Sequence, residues 1–392
     1  MRILVITFYF FPDLGASSFR MREFVKTLAA RLPADSRVDV LTTMPHRYAS
    51  QQQPMVLPLE VDGNLTIERV PLLPHGTGMV SQVYAFIQFY RAVLKRVRNR
   101  QYDLVFATSS RLMTAFIGAK IARRLNVPLY LDIRDIFIDT LKDVLSGLKV
   151  RVLLPILSRI ERYVMQEARR VNLVSAGFLP YFEARYGRRN IPYDFFTNGI
   201  DTEFLSVDWV TNNRALKRPI RVLYAGNVGD GQGLHKILPG LAKAAGPLYH
   251  FVVVGDGARR TQLMRELKRC HVTHVTFMLP MTRSELCQCY QEADILFLHL
   301  NDCPAFTKVL PSKIFEYAAT GKPILAGVSG FAASFLGQVE NCAIFDPCDS
   351  AMGLAALHRL TLTYTERTAF IQQFSRDAIM EKMIASVMAV AG

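Results

Sequence analysis

No cysteine occurs before Cys270 in this chain of 392 residues. The six that follow are Cys270, Cys287, Cys289, Cys303, Cys342 and Cys348, with no repeated C-x-x-C pairing and no histidine partners at zinc spacing. A disulfide scaffold and a zinc module are thereby excluded, and reduced thiols packed as small hydrophobes in a cytosolic protein are expected. Long apolar runs are also missing. No window reaches the roughly 18 apolar residues of a transmembrane helix, so a soluble or peripheral protein is expected. The opening MRILVITFYFFPDLG has the apolar run of a signal-peptide core, yet Pro12 and Asp13 cut it short and no small-residue cleavage site follows; a buried first strand fits better. Low-complexity tracts, solenoid repeats and heptads are absent too, and QQQP at 51–54 reads as a surface loop.

Acidic residues are in short supply. The net charge is +14, with 28 Lys and Arg against 19 Asp and Glu in residues 1–210, and 19 against 14 in the remainder. Much of the excess falls in RAVLKRVRNR (Arg91 to Arg100) and between Lys149 and Arg170. Nucleic acid, anionic lipid headgroups and phosphorylated small molecules would each want such charge, and so would a solvated face with no partner.

Half the chain is hydrophobic, enough for ample core in two domains. Short apolar runs alternate with longer amphipathic stretches. RILVITF, VDVLTT, YDLVFAT, PLYLDI and VNLVS come in the first half; IRVLYAG, HFVVVGDG, HVTFM, DILFLHL and PILAG come in the second. This pattern predicts an α/β protein with two Rossmann-like domains, each a parallel sheet covered on both faces. A boundary near Asn198 gives domains 1–197 and 198–374, where FFTNGID leads into the polar stretch Thr211 to Lys217 and a fresh first strand opens at Ile220.

Ligands of open parallel sheets lie beyond the carboxyl ends of the strands. Three loops qualify: PDLGASSFR, GNVGDGQG and GDGARR. None carries G-x-G-x-x-G in phase, since Gly226, Gly229, Gly231 and Gly233 fall at other spacings and no acid follows about 20 residues on. A dinucleotide dehydrogenase is therefore a poor reading. The glycines bring backbone close to a ligand or simply turn the chain.

The most informative segment is KVLPSKIFEYAATGKP, Lys308 to Pro323. Pro311 suits the first turn of a helix running to about Ala319, and Thr320, Gly321 and Pro323 supply its stop, with Gly321 fit for a left-handed cap. Backbone N–H groups at that start, with Lys313 beside them, suit a diphosphate, and Glu316 as an acceptor-only carboxylate suits a ribose diol. The competing reading is an i,i+3 surface pair between Lys313 and Glu316.

Taken in order, the loop Gly15 to Ser18, the strand and serine at Val171 to Ser175, NGID at Asn198 to Asp201, LYAGNVGDGQG, GDG at Gly255 to Gly257 and PSKIFEYAATGKPI resemble glycosyltransferase family 4, of the GT-B fold, along essentially the whole chain. The PSKIFEY form resembles the branch that transfers N-acetylated amino sugars in bacterial surface polysaccharide (O-antigen or capsule) assembly. The resemblance implies two Rossmann-like domains facing a central cleft and sugar transfer from a nucleotide donor, most often UDP-linked, with retained anomeric configuration. It also implies no metal and no cofactor. The absence of any D-x-D pair agrees with that. Glu316 would take the ribose, with Ser312, Lys313, Gly226, Asn227 and Gly255 toward the phosphates and sugar, and Gly15 and Ser18 on the first domain's side.

Four positions depart from the family pattern. Lys308 stands where the first of two glutamates eight apart is usual, and Asn227 and Gln232 stand where an Arg and a Lys are usual. Lys308 and Lys313 then become the candidates for the diphosphate's positive charge. In place of a His–Asp pair after PLYLDI stand Arg134 and Asp135, suited to hold an acceptor phosphate and to orient or deprotonate an acceptor hydroxyl, or else an ion pair of Arg134 with Asp132 or Asp135.

The acceptor implied is a polyprenyl-diphosphate-linked saccharide at the inner face of the cytoplasmic membrane. MVSQVYAFIQFYRAVLKRVRNR and LKVRVLLPILSRIERYVMQEARR would be the segments that touch anionic lipid, or ordinary domain helices; Pro155 makes the second an irregular, surface-lying element. The last helix, about 375–392, would complete the first domain. A GT-B sugar-nucleotide epimerase is the nearest alternative. A nucleic-acid-binding protein is a more distant one, because no recognisable module is present and the aromatics lie within apolar runs.

Overall fold

A computed structural model describes residues 1–13, 15–45, 56–73, 79–109, 111–139, 148–187, 191–209 and 219–391. The QQQP stretch and the polar stretch 211–217 lie outside these. The chain divides into two compact units, Met1–Asn198 with Asp377–Gly392, and Gly199–Arg376.

The first unit holds an eight-stranded sheet of β1 (Arg2–Ile6), β2 (Arg37–Thr43), β3 (Leu59–Asp62), β4 (Leu65–Val70), β5 (Leu104–Thr108), β6 (Leu129–Ile133), β7 (Ala168–Leu173) and β8 (Tyr193–Asp194). Its order is β3-β4-β2-β1-β5-β6-β7-β8. Every pair is parallel except β3 with β4, a hairpin closed at Gly63, whose φ of 58° favours glycine. The second unit holds an all-parallel sheet of β9 (Ile220–Ala225), β10 (Tyr249–Val254), β11 (Val275–Met278), β12 (Ile295–His299), β13 (Ile324–Gly327) and β14 (Cys342–Phe345), in the order β11-β10-β9-β12-β13-β14.

All ten apolar runs form strands. Those of the second unit, apart from the edge strand β11, are largely buried on both faces, and strand alternation divides their side chains between two cores. Leu223, Val252, Leu296 and Leu298 enter one core, while Val222, Tyr224, Phe251 and Phe297 enter the other. Such strands read as continuous apolar runs. In each sheet the chain leaves the first strand in one direction and returns on its other side. The switch points therefore lie between β1 and β5, and between β9 and β12, with the loops after those strands at their rims.

The helix Leu148–Glu167 is regular through Pro155, contrary to the irregular element expected there. Pro155 is exposed, while Glu161, Val164 and Met165 are buried on the inner side. Packing of that inner face outweighs the one backbone hydrogen bond that proline removes. The helix Met79–Val97 buries Ala85, Phe86, Phe89, Val93 and Val97, yet leaves Val83, Tyr84, Ile87, Arg91 and Lys95 exposed.

Candidate active site

The helix Lys313–Ala319 follows β12 and a 3-10 turn, Pro304–Lys308. It starts two residues beyond Pro311, whose carbonyl accepts a hydrogen bond from the Ile314 N–H, and it ends before Gly321 at φ 67°. All residues from Ile314 to Gly321 are buried, so the segment is a core helix with one ionised edge.

That edge is Glu316, whose side chain is 8% exposed. Its Oε2 accepts from Lys313 Nζ at 2.7 Å and from the Tyr290 hydroxyl at 3.0 Å, and Oε1 receives only a long contact from Arg283 at 3.4 Å. Burial alone would raise the pKa of this carboxyl. The charges of Lys313 and Arg283, with hydrogen bonds from Lys313 and Tyr290, overcome that and hold it below its ordinary value. A buried carboxylate is thus kept ionised with capacity on Oε1 to accept a hydroxyl proton.

Arg283 and Tyr290 come from the helix Arg283–Glu292, opened by a capping box in which Thr282 and Glu285 satisfy each other's backbone N–H. Seven residues apart, they lie on one face two turns from each other, with Cys287 between them. Arg283 also pairs with Asp201, which pairs in turn with Arg376. Glu316, Arg283, Asp201 and Arg376 form a half-sunk chain of alternating charge within the second unit. Burial would lower the pKa of Arg283, but Glu316 and Asp201 raise it. The sequence reading missed Arg283 and Tyr290. The T-x-x-E box and the spacing of seven were the available signals.

The other expected donor-side residues are placed as follows. Lys313 gives its ammonium to Glu316 and the Tyr290 hydroxyl (3.2 Å), not to open space in front of the helix. The i,i+3 pair of the competing reading is therefore formed, semi-buried rather than on the surface. Ser312 caps the helix without a side-chain hydrogen bond, and Lys308 is the half-buried last residue of the 3-10 turn. Gly255, at φ 143°, packs so tightly that a Cβ there would lie 1.9 Å from the Gly226 carbonyl oxygen. Gly226 N–H donates to Val254 O and Val228 N–H to Asp256 O, so the two glycine loops continue the β9–β10 pairing past the strand ends. Their glycines serve that loop-on-loop contact.

The loop is pinned from the far side of the switch point. Asn227 donates to Gln232 at 2.9 Å, Asn301 donates to Asp230 O at 2.9 Å, and Lys236 donates to Asn301 at 2.9 Å. His299, 1% exposed at the end of β12, donates from Nδ1 to Gln232 O at 2.6 Å and accepts from the Cys348 N–H on Nε2 at 3.0 Å. These partners define the neutral Nδ1–H tautomer. Burial lowers its pKa to about 4.

In the first unit Arg134 is buried. It donates to Asn198 Oδ1 at 2.9 Å and stands 4.0 Å from Asp132, while Asp135 is exposed. Asp132 is fully buried and receives Asn172 at 2.6 Å and Arg20 at 3.4 Å. Arg20, itself wholly buried, also donates to the carbonyls of Phe196 (2.9 Å) and Thr197. Arg134 and Arg20 together clamp Phe196–Asn198. Gly15 begins the helix Ala16–Arg31 in extended conformation, and Ser18 is buried in its first turn.

Residues 21–199 match the model of the glycosyl transferase 4-like domain, and residues 209–376 match that of the glycosyl transferases group 1. The chain belongs to the GT4-like glycosyltransferases of the GT-B fold. Solved structures agree on the architecture. The transferase aligns over 99% of its length with 98% of sucrose-phosphate synthase (tll1590) from Thermosynechococcus elongatus, at 16% identity and a TM-score of 0.74. It aligns over 99% with all of Anabaena Alr3699/HepE in complex with UDP and glucose, at 17% identity and 0.73. With WaaG, a glycosyltransferase involved in lipopolysaccharide biosynthesis, the figures are 98% and 99% coverage, 14% and 0.66. No curated protein matches the transferase sequence. Among its described residues no helix is long and apolar enough to cross a membrane.

Proposed function

We propose that this glycosyltransferase moves a sugar, an N-acetylated amino sugar, from a UDP-linked donor to a polyprenyl-diphosphate-linked saccharide, with retention and without a metal, at the inner face of the cytoplasmic membrane. The observation that carries the donor reading is Glu316, a buried carboxylate held ionised beside a sheet switch point with one oxygen only weakly engaged. An ionised acceptor inside an apolar wall binds a ribose diol strongly because water competes poorly there. HepE, of the same fold, is seen with UDP, UDP with glucose, and UDP-glucose. WaaG and the lipopolysaccharide outer core galactosyltransferase WaaB support a surface-saccharide acceptor. The exposed Val83, Tyr84 and Ile87 followed by Arg91 and Lys95 on one helix support contact with an anionic bilayer.

Bond breaking places positive charge on the anomeric carbon and negative charge on the departing phosphate. Fixed donors aimed at that phosphate contribute most to the rate. Lys308, at the end of the 3-10 turn before the helix, is the lysine proposed for it. Arg134 and Asp135 are assigned to the acceptor, and the departing phosphate itself takes the acceptor proton.

A thermal-shift panel of UDP, GDP, ADP, UDP-sugars and NAD, with and without magnesium, tests the donor reading. A magnesium-independent rise with UDP, abolished in Glu316→Gln, is expected. A rise only with NAD, or an unaltered UDP response in Glu316→Gln, overturns it.

A further inference from the structure

A polar cavity lies wholly within the first unit. Its volume is about 260 Å³, and it is lined by Arg162, Met165, Gln166, Arg185, Tyr186 and Ile191. Arg162, Met165 and Gln166 sit at the end of the helix that leads into β7, and Ile191 lies just before β8. The cavity is therefore at the side where these strands begin. Ligands of open α/β sheets gather at the opposite, carboxyl ends.

Among the described residues the lining carries two guanidinium groups and an amide but no carboxylate. Arg185 is held in place from behind: it donates to Ser158 at 3.0 Å, lies 3.4 Å from Glu161 and rests against the Tyr181 ring at 5.1 Å. Glu161 is buried, and the hydroxyls of Tyr181 (3.0 Å) and Tyr186 donate to it. Its charge is thus engaged on the inner side, while the outer side keeps two arginines. Arg162 is exposed and has no carboxylate partner among the described residues. Two guanidinium groups thus line one cavity, and only Arg185 has a carboxylate beside it. Guanidinium forks fit the oxygens of a phosphate bidentately, and Gln166 can add an N–H. The volume is below the roughly 300–1,000 Å³ of drug-sized ligand sites, which suits a headgroup and not a nucleotide sugar.

We infer that this cavity binds a phosphate or diphosphate monoester through Arg162, Arg185 and Gln166, at a site separate from Glu316. The inference needs nothing from the donor reading. Calorimetric titration with inorganic diphosphate and flotation with phosphatidylglycerol-containing or pure phosphatidylcholine vesicles test it on the full chain. Arg162→Glu is the variant of choice because that side chain makes no ion pair the fold needs. Wild-type protein is expected to bind diphosphate, and Arg162→Glu to weaken it at least tenfold with an unchanged thermal response to UDP. Capture on phosphatidylglycerol vesicles that is lost in Arg162→Glu and displaced by diphosphate places the anion on a lipid headgroup. Arg162-dependent diphosphate binding without vesicle capture places it on a soluble phosphate, and both results support the site. Equal diphosphate affinity in the two proteins, or no binding of diphosphate by the wild type, overturns it.

Discussion

At the scale of single residues, Glu316 and His299 show opposite uses of burial. Glu316 is kept charged by Lys313 and Arg283, so its folded-state pKa lies below its ordinary value of 4.5. Its contribution to stability is present above that value and is lost as pH falls through the lowered pKa. Removing the charge in Glu316→Gln should cost the 1.5–3 kcal/mol typical of a hydrogen bond to a charged group, about 10- to 150-fold in UDP affinity. His299 is kept neutral. Its folded pKa near 4 lies below the ordinary 6.5, so between these values the unfolded chain binds more protons and stability falls with falling pH. Melting temperature should drop from pH 6.5 to 4, and His299→Gln, which retains an acceptor for the Cys348 N–H, should flatten that slope. An unchanged slope would show that other groups carry the acid sensitivity.

At the scale of elements, the glycine loops and the capped helix matter most. Gly255→Ala would force a Cβ against the Gly226 carbonyl in a backbone conformation that suits glycine. A loss of at least about 2 kcal/mol in urea unfolding is expected, with accompanying loss of nucleotide response, since the loop after β9 must move. The ten strands were legible because each is an apolar run bounded by turn residues. The hairpin β3–β4 was missed although Asp62-Gly63 announces it, because LEVD is only four residues long and mostly exposed. The short strands β8 and β14 were also missed, one because it has only two residues. Pro155 misled because proline's effect was weighed without the packing of the helix's inner face.

At the scale of the molecule, the chain leaves the first unit at Asn198 and rejoins it at Asp377. The final helix buries Met380, Met383, Ile384 and Val387, and Ser386 hydrogen-bonds Tyr130 (3.2 Å) and Asp194. Met383 also touches the buried Arg20 at 3.2 Å. Met383→Ala should therefore cost about 2–5 kcal/mol, and deletion from Asp377 should yield insoluble protein, both measurable by denaturation and by soluble expression. Full stability of the truncated chain would refute that dependence.

The sequence by itself determined the two parallel sheets, because strands buried on both faces must be apolar throughout and turns between them must carry glycine, proline or small polar residues. It also singled out Glu316, an acid three residues from Lys313 in a helical, otherwise apolar segment. Only the tertiary structure decided what surrounds that acid. Arg283, Asp201 and Arg376 lie 33, 115 and 60 positions from it in sequence and meet only through packing. The Lys313–Glu316 pair, three residues apart on one helix, was already offered by the sequence, whereas tertiary structure gave the glycines to one another. Propensity and periodicity act between neighbours along the chain, whereas ion pairs and close backbone contacts depend on distances set when separate elements pack.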